Sequence, residues 1–377
     1  MKKAMYALSG DPIHNGHLDI VSRATRVFDE VVVGIGANPD KQCLFSLEER
    51  LEMARRSLAQ IPNAVVAAFE GLLVDYAYEQ GIHAIVKGVR GSSDFDYENL
   101  LHRVGESQEL GIDTFLLFAR PELVHVSSTT IKALQKEEGF IHRYVPLYVK
   151  QCLEAKISGQ HILGVTGEIG SGKSTVSEVF CEKGRRRDRE VHTIELDHIA
   201  NQILEERDEP SYQEVRSKVA EEFGQDVRDP NGSINRKRLG EIVYQDFQKL
   251  TRLNHILMQP LMVRLRKELR GKKGLILLNS ALLAESSLAH LCNNNVLLVT
   301  CDKSSQEERL KERKLTKRQI QRRLYSQYSE AEKKETLRSV IQDARQGKMW
   351  EVDSSDTSSQ GSVEQVFEEI AHYLQVP

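Results

Sequence analysis

Near the middle of the chain, Gly164-Val-Thr-Gly-Glu-Ile-Gly-Ser-Gly-Lys-Ser-Thr175 sets Gly167, Gly172, Lys173 and Ser174 in the spacing G-x-x-x-x-G-K-[ST]. Such a loop works only between a strand and a helix, where successive backbone N–H groups curl around phosphate oxygens. The flanking sequence supplies both: the apolar run His161-Ile-Leu-Gly-Val165 reads as the strand, and Ser174 to Lys183 as the helix. Lys173 offers the phosphates a point charge, and Ser174 offers a hydroxyl to Mg²⁺. The strand before such a loop is normally the first of a parallel sheet, so the motif opens a fold. About 160 residues precede it, enough for a complete domain of their own.

The 377 residues, 40% hydrophobic and 28% charged, are enough for two ordinary cores. A formal charge of −3 gives no net drive toward nucleic acid or a membrane surface, and the cluster Arg185-Arg-Arg187 reads as a solvated helix end. Five scattered cysteines with no C-x-x-C pair suit a reducing cytoplasm and offer neither a zinc nor a redox motif. Residues 1–15 lack the apolar core of a signal peptide, and no run approaches the roughly 18 apolar residues of a membrane span. The expectation is a soluble cytoplasmic protein of two α/β domains: residues 1–156, a linker at 157–160, and residues 161–377.

In the first half, Ala4 to Leu8, Glu30 to Ile35, Ala64 to Ala68, Ala84 to Val86 and Thr114 to Phe118 read as strands alternating with helices. That alternation predicts a Rossmann-like, doubly wound parallel sheet, with ligands at the carboxyl ends of its strands. After the first strand, Ser9-Gly-Asp-Pro-Ile-His14-Asn-Gly-His17 brings two imidazoles to a helix start. A zinc pair there has no third ligand at suitable spacing, and a helix N-terminus favours anions.

This opening resembles the nucleotidyltransferase superfamily with its H-x-G-H signature, and in particular the bacterial phosphopantetheine adenylyltransferases. Ala37-Asn-Pro-Asp-Lys41 with Phe45-Ser-Leu-Glu-Glu-Arg50, Lys87-Gly-Val-Arg90 with Asp94-Phe-Asp-Tyr97-Glu98, and Val126-Ser127-Ser128-Thr129 resemble further segments of that family in the family's order. The resemblance implies attack of 4′-phosphopantetheine phosphate on the α-phosphorus of ATP, giving dephospho-CoA and pyrophosphate. An anionic nucleophile needs no general base, only positioning and neutralisation of crowded charge. By resemblance, His17, Lys41, Lys87 and Arg90 are catalytic, while Ser9, Lys41, Leu73 and Lys87 hold phosphopantetheine. ATP is assigned to Ser9, Gly10, His17, Gly88, Val89, Arg90, Glu98, Ser127, Ser128 and Thr129. The family also suggests a homo-oligomer formed through this half.

In the second half, a strand from Val191 to Leu196 delivers Asp197 at its carboxyl end. Transfer of a phosphoryl group to an alcohol requires the hydroxyl to lose a proton, and a carboxylate so placed can accept it; capping of the following helix is the plainer alternative. Two apolar runs, Gly274 to Asn279 and Asn295 to Thr300, read as further strands. Arg309, Arg313, Arg322 and Arg323 lie on a basic helical stretch suited to a lid or to a solvated face. The serine-rich run from Asp353 to Ser362 reads as a loop.

This half resembles the dephospho-CoA kinases. Ile194-Glu-Leu-Asp197-His-Ile-Ala, Asn235-Arg236-Lys-Arg-Leu239, Arg309-Leu-x-x-Arg313 and Arg323-Leu-Tyr-Ser-Gln327 carry the likeness beyond the phosphate loop. Residues 331–349 read as an insertion, and the family's D-x-P-L-L-x-E is Asn279-Ser-Ala-Leu282-Leu283-Ala-Glu285 here. The resemblance implies a P-loop kinase in which Asp197 is the base for a ribose 3′-hydroxyl and Lys173 is catalytic. It implies that Arg236 binds the acceptor, and that Gly170, Ser171, Gly172, Lys173, Ser174, Thr175 and Arg323 bind ATP, with Mg²⁺ on Ser174. The product implied for the first half is the substrate implied for the second. The alternative is an active transferase fused to a kinase-like module that only binds nucleotide or CoA.

Overall fold

The computed structural model describes residues 1–37, 42–206, 208–312, 316–355 and 360–377. The chain divides into two compact units, Met1–Leu153 and Glu154–Pro377.

In the first unit the elements run β1 (Lys3–Leu8), α1 (Asn15–Ala24), β2 (Glu30–Gly36), α2 (Leu47–Leu58), β3 (Ala64–Phe69), α3 (Leu73–Glu79), β4 (Ala84–Val89), α4 (Ser92–Glu106), β5 (Asp113–Phe118), α5 (Ser128–Lys136) and α6 (Leu147–Leu153). The five strands form one parallel sheet in the order β3-β2-β1-β4-β5. The first strand is therefore central, and the chain winds outward from it in both directions, which opens a ligand crevice at the carboxyl ends of β1 and β4. Burial follows that order: Val31 to Ile35 of β2 are buried, whereas the edge strands β3 and β5 leave Val65, Phe115 and Phe118 exposed. Helix α2 starts where a helix should, with the Ser46 hydroxyl accepting the Glu49 N–H and the Glu49 carboxylate accepting the Ser46 N–H.

In the second unit the order is β6 (Gln160–Thr166), α7 (Lys173–Arg186), β7 (Val191–Glu195), α8 (Leu196–Glu205), α9 (Pro210–Phe223), α10 (Arg236–Val243), α11 (Phe247–Leu269), β8 (Gly274–Asn279), β9 (Val296–Thr300), α12 (Lys303–Glu312), α13 (Lys317–Tyr325), α14 (Glu330–Ala344), β10 (Met349–Asp353) and α15 (Gln360–Leu374). Its parallel sheet has the order β10-β9-β6-β8-β7, again with the unit's first strand in the centre. All seven residues of β6 and all six of β8 are buried, the mark of strands covered on both faces. Helix α11 buries Leu250, Leu253, Leu257, Leu261, Leu265 and Leu269, one stripe at helical spacing.

The structure refines several expectations. Strand β10 was not read from the sequence: it is short, and only two of its five residues are buried. In the expected linker, Ser158 ends a π-helical turn and Gln160 already pairs in β6. Residues 331–349, read as an insertion, make most of α14 and the start of β10, and Lys333 of that stretch is fully buried. The serine-rich run from Asp353 to Ser362, read as a loop, has Asp353 at the end of β10 and residues 360–362 in the start of α15, while residues 356–359 lie outside the described residues.

The second core centres on Phe180, fully buried and edge-on to Phe367 at 5.2 Å between ring centroids. Phe180→Ala is expected to destabilise this unit by about 3–5 kcal/mol. The only tryptophan, Trp350, is buried in the same core, so its fluorescence reports this unit alone. The measurement is the urea midpoint of Trp350 emission, which should fall in the variant.

Candidate active sites

The first site forms at the carboxyl ends of β1 and β4, around a cavity of about 380 Å³. Its floor is fixed by two buried charged residues. Arg50 of α2 donates to the Ser9 carbonyl at 2.6 Å and to the Gly36 carbonyl at 2.9 Å, tying the ends of β1 and β2 together. Asp11 accepts the N–H groups of Leu44 and Phe45 at 3.1 and 3.0 Å and pairs with Lys132 of α5 at 2.7 Å. Burial pushes the Asp11 carboxyl up, but Lys132 and the two N–H groups outweigh it and hold its pKa below the ordinary carboxylate value.

Above this floor, the His14 and His17 rings stack 3.6 Å apart at the start of α1. The His14 backbone N–H donates to His17 Nδ1 at 3.2 Å. A backbone N–H is always a donor, so Nδ1 is the acceptor and the neutral ring carries its proton on Nε2. Burial first, then the neighbouring cation Arg90, lowers the His14 pKa from 6.5 to about 4. Burial, His14 and Arg90 push His17 well below its usual value. His17 is thus a neutral N–H donor lining the cavity.

The cations that line the cavity are held by its carboxylates. Lys87 pairs with Glu98 at 2.8 Å, and the Arg90 fork pairs with Asp94 at 2.8 and 3.1 Å. Asp94 and Glu98 are the only carboxylates among the described lining residues, and both are occupied in this way. Ser127 caps α5 by accepting the Thr130 N–H at 3.1 Å, and the Ser128 hydroxyl donates to the Pro12 carbonyl at 2.9 Å. Of the residues expected here, Ser9, His17, Lys87, Gly88, Arg90, Glu98, Ser127, Ser128 and Thr129 all line the cavity. Gly10 turns the chain beneath it at φ +59°, Val89 is buried in the sheet, and Leu73 packs in a cluster with Met5, Val32 and Ala77. Lys41 lies outside the described residues.

The second site forms at the carboxyl ends of β6, β7 and β8, around a cavity of about 680 Å³. The loop after β6 needs its glycines. Gly167 has φ +151°, and a Cβ there would lie 2.2 Å from the Val299 carbonyl; Gly172 begins α7 at φ +86°. Lys173 donates to the Gly167 and Glu168 carbonyls, each at 2.9 Å. Gly170, Gly172, Lys173, Ser174, Asp197, Arg236 and Arg323 all line the cavity. Ser171 is buried behind the loop, where its carbonyl accepts the Ser354 hydroxyl at 2.6 Å, and Thr175 continues α7.

Asp197 stands in the first turn of α8, accessible to solvent from the cavity it lines. The protein crowded around it raises its carboxyl above the usual value, opposed by Lys173, by the Ala281 backbone and by Lys333, and reinforced by Glu195. A base made stronger by burial and kept near a cation is suited to taking a proton. On the lid stretch, Arg322 and Arg323 face the cavity, whereas Arg309 of α12 binds Ser354 and the Gly170 carbonyl. Arg313 lies outside the described residues. Asp11, Arg50, Glu195 and Lys333 were not singled out from the sequence: their partners lie far away in the chain, except for Glu195, which was passed over beside Asp197.

Comparison with known proteins matches each unit to a family. A family model described as cytidylyltransferase-like matches residues 9–134, and one described as dephospho-CoA kinase matches residues 161–348. The phosphopantetheine adenylyltransferase of Paenarthrobacter aurescens is 44% identical over 161 residues, covering 42% of this chain and 95% of its own length. That of Pseudarthrobacter chlorophenolicus is 46% identical over 156 residues, covering 41% and 93%, and that of Symbiobacterium thermophilum is 48% identical over 134 residues, covering 36% and 83%. The fold, the histidine pair of the first site and the phosphate loop of the second meet in one chain. It belongs to the phosphopantetheine adenylyltransferase family through its first unit and joins that unit to a dephospho-CoA kinase region.

Proposed function

We propose that the chain carries out the last two steps of CoA synthesis. The observation that carries this reading is the contrast between the two cavities. In the first, both lining carboxylates are committed to cations, so the site offers donors and positive charge but no free base. That suits a nucleophile that is already an anion, the phosphate of 4′-phosphopantetheine. It attacks the α-phosphorus of ATP, a new P–O bond forms, and pyrophosphate leaves with the electron pair of the broken bond. His17 Nε2–H donates to the charge developing on the α-phosphate, and Lys87 and Arg90 neutralise the rest. Lys41 joins them by resemblance. In the second cavity Asp197 and Lys173 line the same space, where the phosphate chain of ATP would lie. It takes the proton of the ribose 3′-hydroxyl as that oxygen attacks the γ-phosphorus, and ADP leaves. Arg236 holds the acceptor, and Arg323 closes over ATP.

Among the described residues no three His, Cys, Asp or Glu side chains gather into a metal cage. The donors present, the Ser174 hydroxyl with Asp197 and Glu195 nearby, suit Mg²⁺ that arrives on the phosphates and keeps several waters. When bound, it would neutralise the β- and γ-phosphate oxygens. No helix among the described residues is long and apolar enough to cross a membrane, and the five free cysteines suit a reducing cytoplasm.

The first unit also has a surface suited to association with copies of itself. No residue of α4 is buried, and Tyr97, Leu100 and Val104 are exposed there, with Phe118 exposed at the end of edge strand β5. Leu100→Lys is expected to lower the assembly mass measured by light scattering. An unchanged mass would count against this face.

The central test is a time course with ATP, Mg²⁺ and 4′-phosphopantetheine. Dephospho-CoA should appear first and CoA after a lag; accumulation that stops at dephospho-CoA would make the second unit a binding module. His17→Ala should slow the first step by about 10²–10³-fold and leave conversion of supplied dephospho-CoA intact. Asp197→Asn should do the reverse, slowing the second step by about 10²–10⁴-fold.

The pH dependence follows from the histidines. His14 and His17 have folded pKa values below the ordinary 6.5, so the unfolded chain binds more protons between those values. The first unit is thus fully stabilised above pH 6.5 and loses stability as pH falls toward about 4. In a ring titration followed by NMR, His14 should charge only as pH approaches about 4, and His17 only well below the ordinary histidine value. A rate limb near pH 6.5 that disappears in His17→Gln would contradict the neutral-donor role.

A further inference from the structure

The junction between α13 and α14 holds charge and hydrogen bonds that neither reaction uses directly. Lys333, in the first turn of α14, is fully buried; its Nζ meets Glu285 Oε1 at 2.5 Å and donates to the Ala281 carbonyl at 2.6 Å. Glu285 is also buried, and the same oxygen accepts the Tyr328 N–H at 2.9 Å. Its other oxygen has no hydrogen-bond partner among the described residues. Ala281 completes the circuit, because it lines the same cavity as Asp197. On the opposite edge, Gln327 accepts the Ile169 N–H at 3.2 Å, and Glu168 accepts the Glu330 N–H at 3.0 Å. Residues 327–333 are therefore bonded both to the phosphate loop and to the cavity wall that Ala281 forms. Helix α13, with Arg322 and Arg323, comes immediately before them.

A buried ion pair contributes little net stability, since lost hydration offsets the attraction between the charges. Its distinctive contribution is registry. Two apolar side chains would fill the same volume, but they would fix neither the Ala281 carbonyl nor the Tyr328 N–H. We propose that Lys333, together with Glu285, is a positioning residue for the kinase step: it clamps the Ala281 peptide in the cavity wall that the acceptor must share with Asp197, and it locks that wall to the lid bearing Arg322 and Arg323. The inference rests on the kinase reading of the second unit.

The test uses the full chain with dephospho-CoA, ATP and Mg²⁺. Wild-type protein must first make CoA; if it does not, the kinase reading itself fails, independently of any variant. Lys333→Met is expected to lower kcat by about a hundredfold, the effect of a misplaced reacting group. Its KM for ATP should change little, because the phosphate loop is intact. Adenylyl transfer by the same molecules should be unchanged. The double variant Lys333→Met/Glu285→Gln removes both buried charges and should regain the thermal stability lost in the single variant, yet keep the low kcat. A double variant with wild-type kcat, or a Lys333→Met protein whose kcat is unchanged while its KM for ATP rises, would overturn the proposal.

Discussion

Both sheets face one electrostatic problem, which is to hold several phosphate oxygens close together without letting their repulsion expel them. Each meets it at the carboxyl end of its own first strand, which both topologies place in the centre. The central position matters because neighbouring strands then deliver loops from both sides of the crevice. Beyond that common plan the solutions diverge. The second unit relies on a glycine loop that lines its cavity, and the close approach of Gly167 to Val299 leaves no room for a side chain. The first unit has no such loop and relies on side chains: a neutral histidine, a lysine and an arginine, mounted on a floor that Arg50 and Asp11 make rigid.

The carboxylates then decide the chemistry. In the first cavity Asp94 and Glu98 do for the cations what substrate phosphates do later: they keep Arg90 and Lys87 oriented and partly neutralised before a ligand arrives. Bound phosphates must compete with these pairs. The competition is favourable only when several anionic oxygens arrive together, which discriminates against singly charged ligands. In the second cavity Asp197 has no cation at ion-pair distance among the described residues. It is therefore free to accept a proton.

Much of this was legible in the sequence because local rules carry it. The alternation of apolar runs and helical stretches gave nine of the ten strands, and the phosphate loop announces itself by spacing alone. The histidine pair, Lys87 and Arg90 were readable through the resemblance of their segments to a known family, and Asp197 also because it directly follows a strand. What local rules do not carry is pairing across the chain. Asp11 meets Lys132 from 121 positions away, and Lys333 meets Glu285 from 48. In sequence, Lys333 is one of two adjacent lysines in a charged helix, and nothing in its spacing separates it from its solvated neighbour. Strand β10 stayed hidden for a related reason, since its polar edge position leaves only Trp350 and Val352 to bury.

Burial of hydroxyls adds a further step. Ser127 and Ser128 look like phosphate ligands by residue type, yet both hydroxyls are engaged in the fold, one capping α5 and the other holding the Pro12 carbonyl. What α5 then has to offer an anion is its first-turn backbone N–H groups, and the Thr130 N–H is already taken by the cap. The serines thus act through geometry: by fixing where the helix begins and where the Asp11–His14 turn lies, they set the distance between that N-terminus and the His17 donor. The same residue type that reads as a ligand in sequence is, in the structure, what keeps the two anion-binding elements in register.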